Sequence, residues 1–321
     1  MTTESTKRRI VSIVVPVFHN STSLPDLLVQ FQSLTARNPD EDFEFIFVDD
    51  GSRDSSYEVL CELARHERRM RVIKLSRNFG SNAALVAGLR HAKGDAVACI
   101  AADLQDPPEL IDEMLVAWRH GAKVVLAARN GRDDSMVTRM LANTFYALFR
   151  RFAIKTMPKQ GFDFFLLDTQ AVGLINSIQE SNVYLMGLIL WIGFEPEVVY
   201  YRRRTREVRY GTSMWTLFKK IKYFIDGFVA FSYTPVRACS LLGILVSLFG
   251  LLYAIAIILG RMFLEIRVEG WSSLMVVILI VSGVQMMMIG VLGEYLWRNL
   301  EETRSRPRYI VEKIVEGGET V

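Results

Sequence analysis

Short apolar runs alternate with segments of helical spacing along the first 130 residues or so. Runs at 10–17, 43–48, 71–75, 96–101 and 123–128 predict strands. Between them, 23–32, 54–68, 82–91 and 108–120 carry apolar residues at helix period. Asp54 is placed to cap the second of these helices, and Pro107-Pro108 to open the fourth. Strand and helix units alternating at this pitch predict an α/β fold: a mostly parallel sheet with helices on both faces. No internal repeat and no low-complexity tract interrupts the pattern.

The pattern changes near residue 200. The stretch 201–210 holds Arg202, Arg203, Arg204, Arg206 and Arg209. Residues 215–231 are apolar, but Thr216, Lys219, Lys220, Tyr223 and Asp226 fall on one helical face. Such a helix lies in a membrane interface or packs as an ordinary surface helix. Residues 238–260 and 271–293 carry no charge, 23 residues each (260 − 238 + 1; 293 − 271 + 1). At helical rise each reaches about 35 Å, enough for a hydrocarbon core of about 30 Å. Lys219, Lys220, Lys222 and Arg237 flank the pair on one side, and Arg298, Arg304, Arg306 and Arg308 on the other. The positive-inside rule therefore puts both chain ends in the cytoplasm. Gly243 and Gly250, and Gly283 and Gly290, repeat at seven residues and permit close helix packing, within the hairpin or between protomers. The expected organisation is a domain at 1–212, an amphipathic segment at 213–235, two transmembrane helices within 236–298 (about 238–260 and 271–295) and a tail at 299–321.

Composition narrows the function. A formal net charge of +3 gives no argument for nucleic acid. Cys61, Cys99 and Cys239 are odd in number and far apart, which suits a reducing compartment and excludes a disulfide framework. His19, His66, His91 and His120 show no paired ligand spacing, and residues 1–9 carry no signal-peptide core. There is no G-x-G-x-x-G and no G-x-x-x-x-G-K-[ST], which argues against a dinucleotide fold and a P-loop.

Two strand ends carry the candidate chemistry. Asp103 and Gln105 follow the fourth apolar run, at the carboxyl edge where open α/β sheets bind ligands. A carboxylate and an amide oxygen two residues apart suit a hard divalent cation shared with phosphate; the plainer alternative is a loop with an N-cap aspartate. Asp49 and Asp50 end the second run, placed to accept from a base N–H or a ribose hydroxyl, or simply to shape an Asp-Gly-Ser turn.

The ordered set Val15-Pro16-Val17-Phe18, Val48-Asp49-Asp50-Gly51-Ser52-Arg53-Asp54, Arg77-Asn78-Phe79-Gly80 and Ala102-Asp103-Leu104-Gln105-Asp106-Pro107-Pro108-Glu109 resembles glycosyltransferase family 2. With Gly211-Thr212-Ser213-Met214-Trp215 and the terminal hairpin, nearly the whole chain resembles the polyprenyl-phosphate branch of that family. The resemblance implies a GT-A domain, a nucleotide-sugar donor (UDP-glucose first), a polyprenyl phosphate acceptor such as undecaprenyl phosphate, and Mg2+ or Mn2+. It implies an inverting transfer at the cytoplasmic face of the inner membrane and a homo-oligomer, dimer or tetramer. Pro16, Phe18, Asp49, Asp50, Arg77, Ser81 and Asp103 would hold the donor, and Asp103 and Gln105 the metal. Arg129 and Arg132 would meet phosphate, with Asp163 facing the acceptor as a catalytic group. Arg202, Arg206, Arg209 and Ser213 would hold the lipid phosphate, although a basic patch beside a membrane also attracts anionic lipid. The family often has Asp at the position of Ala101 and Lys at that of Met214, and Asn-Glu at that of His19-Asn20, so the metal has one carboxylate fewer here. Processive synthases of the same superfamily carry Gln-x-x-Arg-Trp; no Trp here follows an Arg. A non-catalytic lipid-binding scaffold is the remaining alternative.

Overall fold

Four of the apolar runs form β1 (Arg9–Val17), β2 (Glu41–Asp49), β3 (Met70–Leu75) and β4 (Ala96–Cys99). They pair in parallel in the order β4-β1-β2-β3. The computed structural model describes residues 8–129, 144–180 apart from 145, 148 and 153, 184–204 apart from 203, 231–263 apart from 233, and 270–318. It divides into two compact units, Met1–Gly227 with Arg306–Val321, and Phe228–Ser305.

In the first unit, α1 (Leu24–Arg37), α2 (Ser56–His66), α3 (Ser81–His91) and α4 (Leu110–Arg119) follow the successive strands as expected. Strand side chains alternate between faces. Val11, Ile13, Val15 and Val17 join one core with Leu27 and Phe31 of α1, Leu60 of α2 and Met114 of α4. Helix α3 packs on β1 and β2 with Ala84 to Leu89 buried. Burial on both faces explains why these strands are continuous apolar runs rather than alternating ones.

The remaining strands depart from the simple parallel picture. β5 (Val124–Arg129) forms as expected but is not a neighbour of β4. β6 (Phe162–Asp168) inserts between them, antiparallel to both. β7 (Glu197–Tyr201) runs parallel to β5. Two further helices are α5 (Thr169–Ser177), whose N-cap Asp168 accepts from the Gln170 N–H, and α6 (Leu185–Trp191). The segment expected to be a plain tail contains β8 (Val311–Glu316), antiparallel along β3. The order is β7-β5-β6-β4-β1-β2-β3-β8. β8 is firmly seated. Buried Arg71 donates to Glu316 at 2.8 Å and to the His91 carbonyl at 2.8 Å. Gly317 then passes so close to β3's approach that a methyl group there would lie 2.2 Å from the Glu67 carbonyl oxygen.

The second unit is α7 (Thr234–Phe263) and α8 (Trp271–Thr303), packed on one another. Both are long and apolar enough to cross a membrane, over Thr234–Leu259 and Leu274–Thr303. Large apolar side chains such as Ile244, Phe249, Met286 and Ile289 are exposed on them. Tyr295 Oη donates to the Ser232 carbonyl at 2.8 Å, tying the start of α7 to α8. Gly243 lies against Met288, whereas a methyl on Gly250, Gly283 or Gly290 would meet nothing within 4 Å. Residues 205–230 lie outside the described residues, and with them most of the amphipathic segment expected at 213–235.

Candidate functional site

Adjacent parallel strands bring the carboxyl ends of β4, β1, β2 and β3 to one edge. Antiparallel β6 starts at that edge: Cys99 pairs with Phe165, so Asp163 falls beside the segment leaving β4. β5 and β7 end there too, with Arg129 paired to Tyr201.

At the ends of β1 to β3 opens a cavity of about 460 Å3, lined by Phe18, Ser52, Lys74, Arg77, Asn78 and Glu312 among others. Its walls are held by backbone contacts. The His19 N–H donates to Ser52 Oγ at 3.2 Å, and its Nε2 accepts from the Arg53 N–H at 3.2 Å. The His19 ring stacks on Phe18, centroids 4.1 Å apart. Gly51 adopts a φ of +67°, and a methyl there would lie 2.5 Å from the Arg77 carbonyl carbon. No L side chain fits that turn against the Arg77 loop.

Asp50 is buried, and its two carboxylate oxygens accept from the Phe79 N–H at 2.7 Å and the Gly80 N–H at 2.8 Å. Burial pushes its pKa up to about 6, against the pull of those two donors; neighbouring Asp49 adds to the rise. Asp50 thus shapes the pocket wall by fixing the 77–80 loop. Asp49 is fully buried; burial raises its pKa, opposed by hydrogen bonds from Ser52. The sign of the Asp50 effect is testable. Its folded pKa stands above the ordinary 3.8, so its contribution to stability is full below about pH 4 and lost as pH rises through about 6. Asp50→Asn should flatten the fall in thermal midpoint between pH 4 and 7 relative to the parent. Parallel curves would show that Asp50 titrates normally.

The loop after β4 carries Asp103 and Gln105, both half-buried. Leu104 takes a φ of +58°, and Asp103 Oδ1 accepts from the Gln105 N–H at 3.2 Å. Ser23 Oγ donates to the Ala102 carbonyl at 2.7 Å and anchors the loop to α1's start. On the other side the Arg204 N–H donates to the Gln105 carbonyl at 2.9 Å, and its guanidinium lies 3.3 Å from Glu109. The basic stretch therefore begins against this loop. Among the described residues no three His, Cys, Asp or Glu side chains gather as a metal cage. One carboxylate, one amide and substrate oxygens are the donor set Mg2+ or Mn2+ accepts, since such ions keep waters and bind substrate phosphates. The residues present fit such an ion.

Behind the loop lies a network not foreseen from sequence. Asp106 is buried and accepts from Tyr201 Oη at 2.5 Å. Arg129 is ion-paired with Asp163 at the exposed end. Burial works against the Arg129 charge, yet Asp163, Asp106 and Tyr201 together raise its pKa. The Tyr201 phenol is itself pushed up by burial and by Asp106. The signal for Tyr201 was the Val-Val-Tyr-Tyr run ending at 201, hidden because the basic stretch begins there.

Of the residues singled out by sequence, Phe18 and Arg77 line the cavity, and Arg77 lies 4.1 Å over the Phe79 ring. Pro16 sits in β1 opposite Val48, and exposed Ser81 opens α3. Asp103, Gln105, Arg129 and Asp163 share the neighbouring stretch of the edge, and exposed Arg202 follows β7. Arg132, Arg206, Arg209 and Ser213 lie outside the described residues.

Residues 12–179 match Glycosyl transferase family 2. The uncharacterized glycosyltransferase YkcC of Bacillus subtilis is 37% identical over 303 residues, 94% of this chain and 93% of YkcC. The SfII prophage-derived bactoprenol glucosyl transferase of Shigella flexneri is 35% identical over 308 residues, 96% of this chain and 99% of the relative. The mannosyltransferase PcManGT from Pyrobaculum calidifontis, solved in complex with GDP-Man and Mn2+, aligns with a TM-score of 0.49 and 15% identity, over 70% of this chain and 64% of that one. Matched over more than half its length, and aligned with such relatives over nearly all of it, the chain belongs to glycosyltransferase family 2.

Proposed function

We propose that the protein transfers one sugar from a nucleotide-sugar donor to a polyprenyl phosphate, with inversion, at the cytoplasmic face of a membrane. The carrying observation is the shared edge: a cavity at the ends of β1 to β3, the Asp103 loop at the end of neighbouring β4, and Arg204 of the arginine-rich stretch bonded to that loop. The bactoprenol glucosyl transferase relative supports the acceptor and makes UDP-glucose the first donor to try.

In this reading the cavity holds the nucleoside between Phe18 and the Arg77 loop. Asp103 and Gln105 would hold Mg2+ or Mn2+ beside it. When bound, that ion supplies charge stabilisation for the departing nucleotide. Arg129, turned outward by Asp163, meets developing phosphate charge with a planar fork that binds two oxygens. Arg202, Arg206 and Arg209 draw the lipid phosphate toward the loop. The acceptor is already ionised near neutral pH, so the chain's task is positioning rather than strong base catalysis. A single in-line displacement at the anomeric carbon inverts it.

In this reading both flanks of the apolar pair lie on one side of the bilayer, which is supported by a chain that leaves the sheet domain before α7 and returns to it after α8. The basic flanks make that side the cytoplasm. The exposed apolar surface on α7 and α8 exceeds what soluble monomers leave in water. The protein should therefore sediment with membranes and leave them only in detergent; recovery in the soluble fraction would contradict the spanning assignment. Purified protein given radiolabelled UDP-glucose, undecaprenyl phosphate and Mg2+ or Mn2+ should yield one lipid-linked monosaccharide. A polymer, or no lipid product with any of a panel of nucleotide sugars, would sink the proposal.

A further inference from the structure

The strand that follows the second apolar helix reaches the donor cavity. β8 pairs with β3 in regular antiparallel register from Arg71↔Glu316 to Lys74↔Lys313, and then Leu75 pairs with Val311. Glu312 is the extra residue of this irregularity. A bulge at a sheet edge re-aims the side chain it carries. Here it turns Glu312 to the same side as Lys74, whose Nζ lies 3.0 Å from Glu312 Oε1. Lys74 is held from behind, 4.9 Å over the Tyr57 ring, and stands opposite Asp49 in the β2–β3 register. Both Lys74 and Glu312 line the 460 Å3 cavity, together with Phe18 and Arg77. The strand is not loosely placed: the Arg71–Glu316 contact and the close passage at Gly317 fix its register.

We infer that the Lys74–Glu312 pair recognises the nucleoside end of the donor, so that the segment after the membrane hairpin completes the donor site. This rests on the nucleotide-sugar reading of the cavity above. An ammonium beside a carboxylate presents one donor and one acceptor 3.0 Å apart. A base edge or a ribose diol offers adjacent acceptor and donor groups that match both at once. Phe18 supplies an apolar ring face in the same cavity. Phosphates have no hydrogen-bond donor for Glu312 when ionised, so this end of the cavity suits the nucleoside and disfavours the diphosphate.

The test measures binding by calorimetry on the full-length protein in detergent, with Mn2+ present. UDP, GDP, CDP and ADP are compared, and inorganic diphosphate serves as the probe lacking a nucleoside. Glu312→Ala should weaken the tightest nucleotide about tenfold while diphosphate stays within about twofold, since a hydrogen bond to a charged group is lost only in the first case. Glu312→Gln keeps the strand's shape and should fall between the two. Lys313→Ala changes the neighbouring exposed residue of β8, which does not line the cavity, and leaves the Arg71–Glu316 contact in place, so it should leave nucleotide binding unchanged. In a transfer assay Glu312→Ala should raise the donor KM with kcat little changed. Equal losses for nucleotide and diphosphate, no loss for either, or a Lys313→Ala effect as large as that of Glu312→Ala would overturn the inference in favour of a purely structural strand. Failure of the parent protein to bind any nucleotide would instead remove the proposed function itself.

Discussion

Asp103→Ala should lower transfer to the lipid acceptor by about a thousandfold, with the fold intact. Asp103 is the carboxylate at the end of β4, and Ala101 and Ala102 before it offer no substitute. Among the described residues no three His, Cys, Asp or Glu side chains gather to hold a divalent ion. On the proposed function, loss of the ion would remove several kcal/mol of stabilisation from the leaving nucleotide, and each ~1.4 kcal/mol is tenfold in rate. Gln105→Ala should cost far less, about ten- to a hundredfold, because a neutral amide is the weaker ligand. The measurement is initial rate with radiolabelled donor at saturating Mn2+, alongside the thermal midpoint. Full activity of Asp103→Ala would discard the metal assignment.

Arg129→Leu should destabilise the sheet domain by about 3 kcal/mol, because it strips a part-buried cation from carboxylates arranged around it. Asp106 is buried beside Tyr201, and its charge is balanced by Arg129. Tyr201→Phe should cost about 1 kcal/mol by removing one hydrogen bond to Asp106. Asp163→Asn should change stability little, since Asp163 sits at the exposed end of the network. Thermal midpoints of the detergent-solubilised variants give the ranking Arg129, Tyr201, Asp163. Should Arg129→Leu melt with the parent protein, the network has no structural weight.

The first half of the fold was legible because its strands are buried on both faces. Val11 to Val17 and Phe45 to Asp49 can be continuous only in the middle of a parallel sheet. The Asp103 loop was legible because a strand end followed by two prolines leaves few geometries. The rest hid for identifiable reasons. Phe162–Asp168 carries two aspartates and falls outside the apolar runs that predict strands, yet its antiparallel entry between β4 and β5 is what carries Asp163 and Arg129 to the Asp103 edge. Val311–Glu316 reads Val-Glu-Lys-Ile-Val-Glu, half charged, because an edge strand needs only one covered face. Its partner, β3, lies some 240 residues earlier, and no local pattern announces a pairing over that distance. Asp106 and Tyr201 were each visible, but their contact depends on β7 running beside β5.

β8 has a consequence for how the molecule is made. Translation delivers β3 early and its edge partner only after both apolar helices have emerged. Until then the hydrogen-bonding groups of Met70–Leu75 on that side stay unpaired, a template for other chains. On the proposed membrane placement, the nascent domain would be sealed only once the hairpin has been released into the bilayer, which would couple completion of the sheet to membrane insertion.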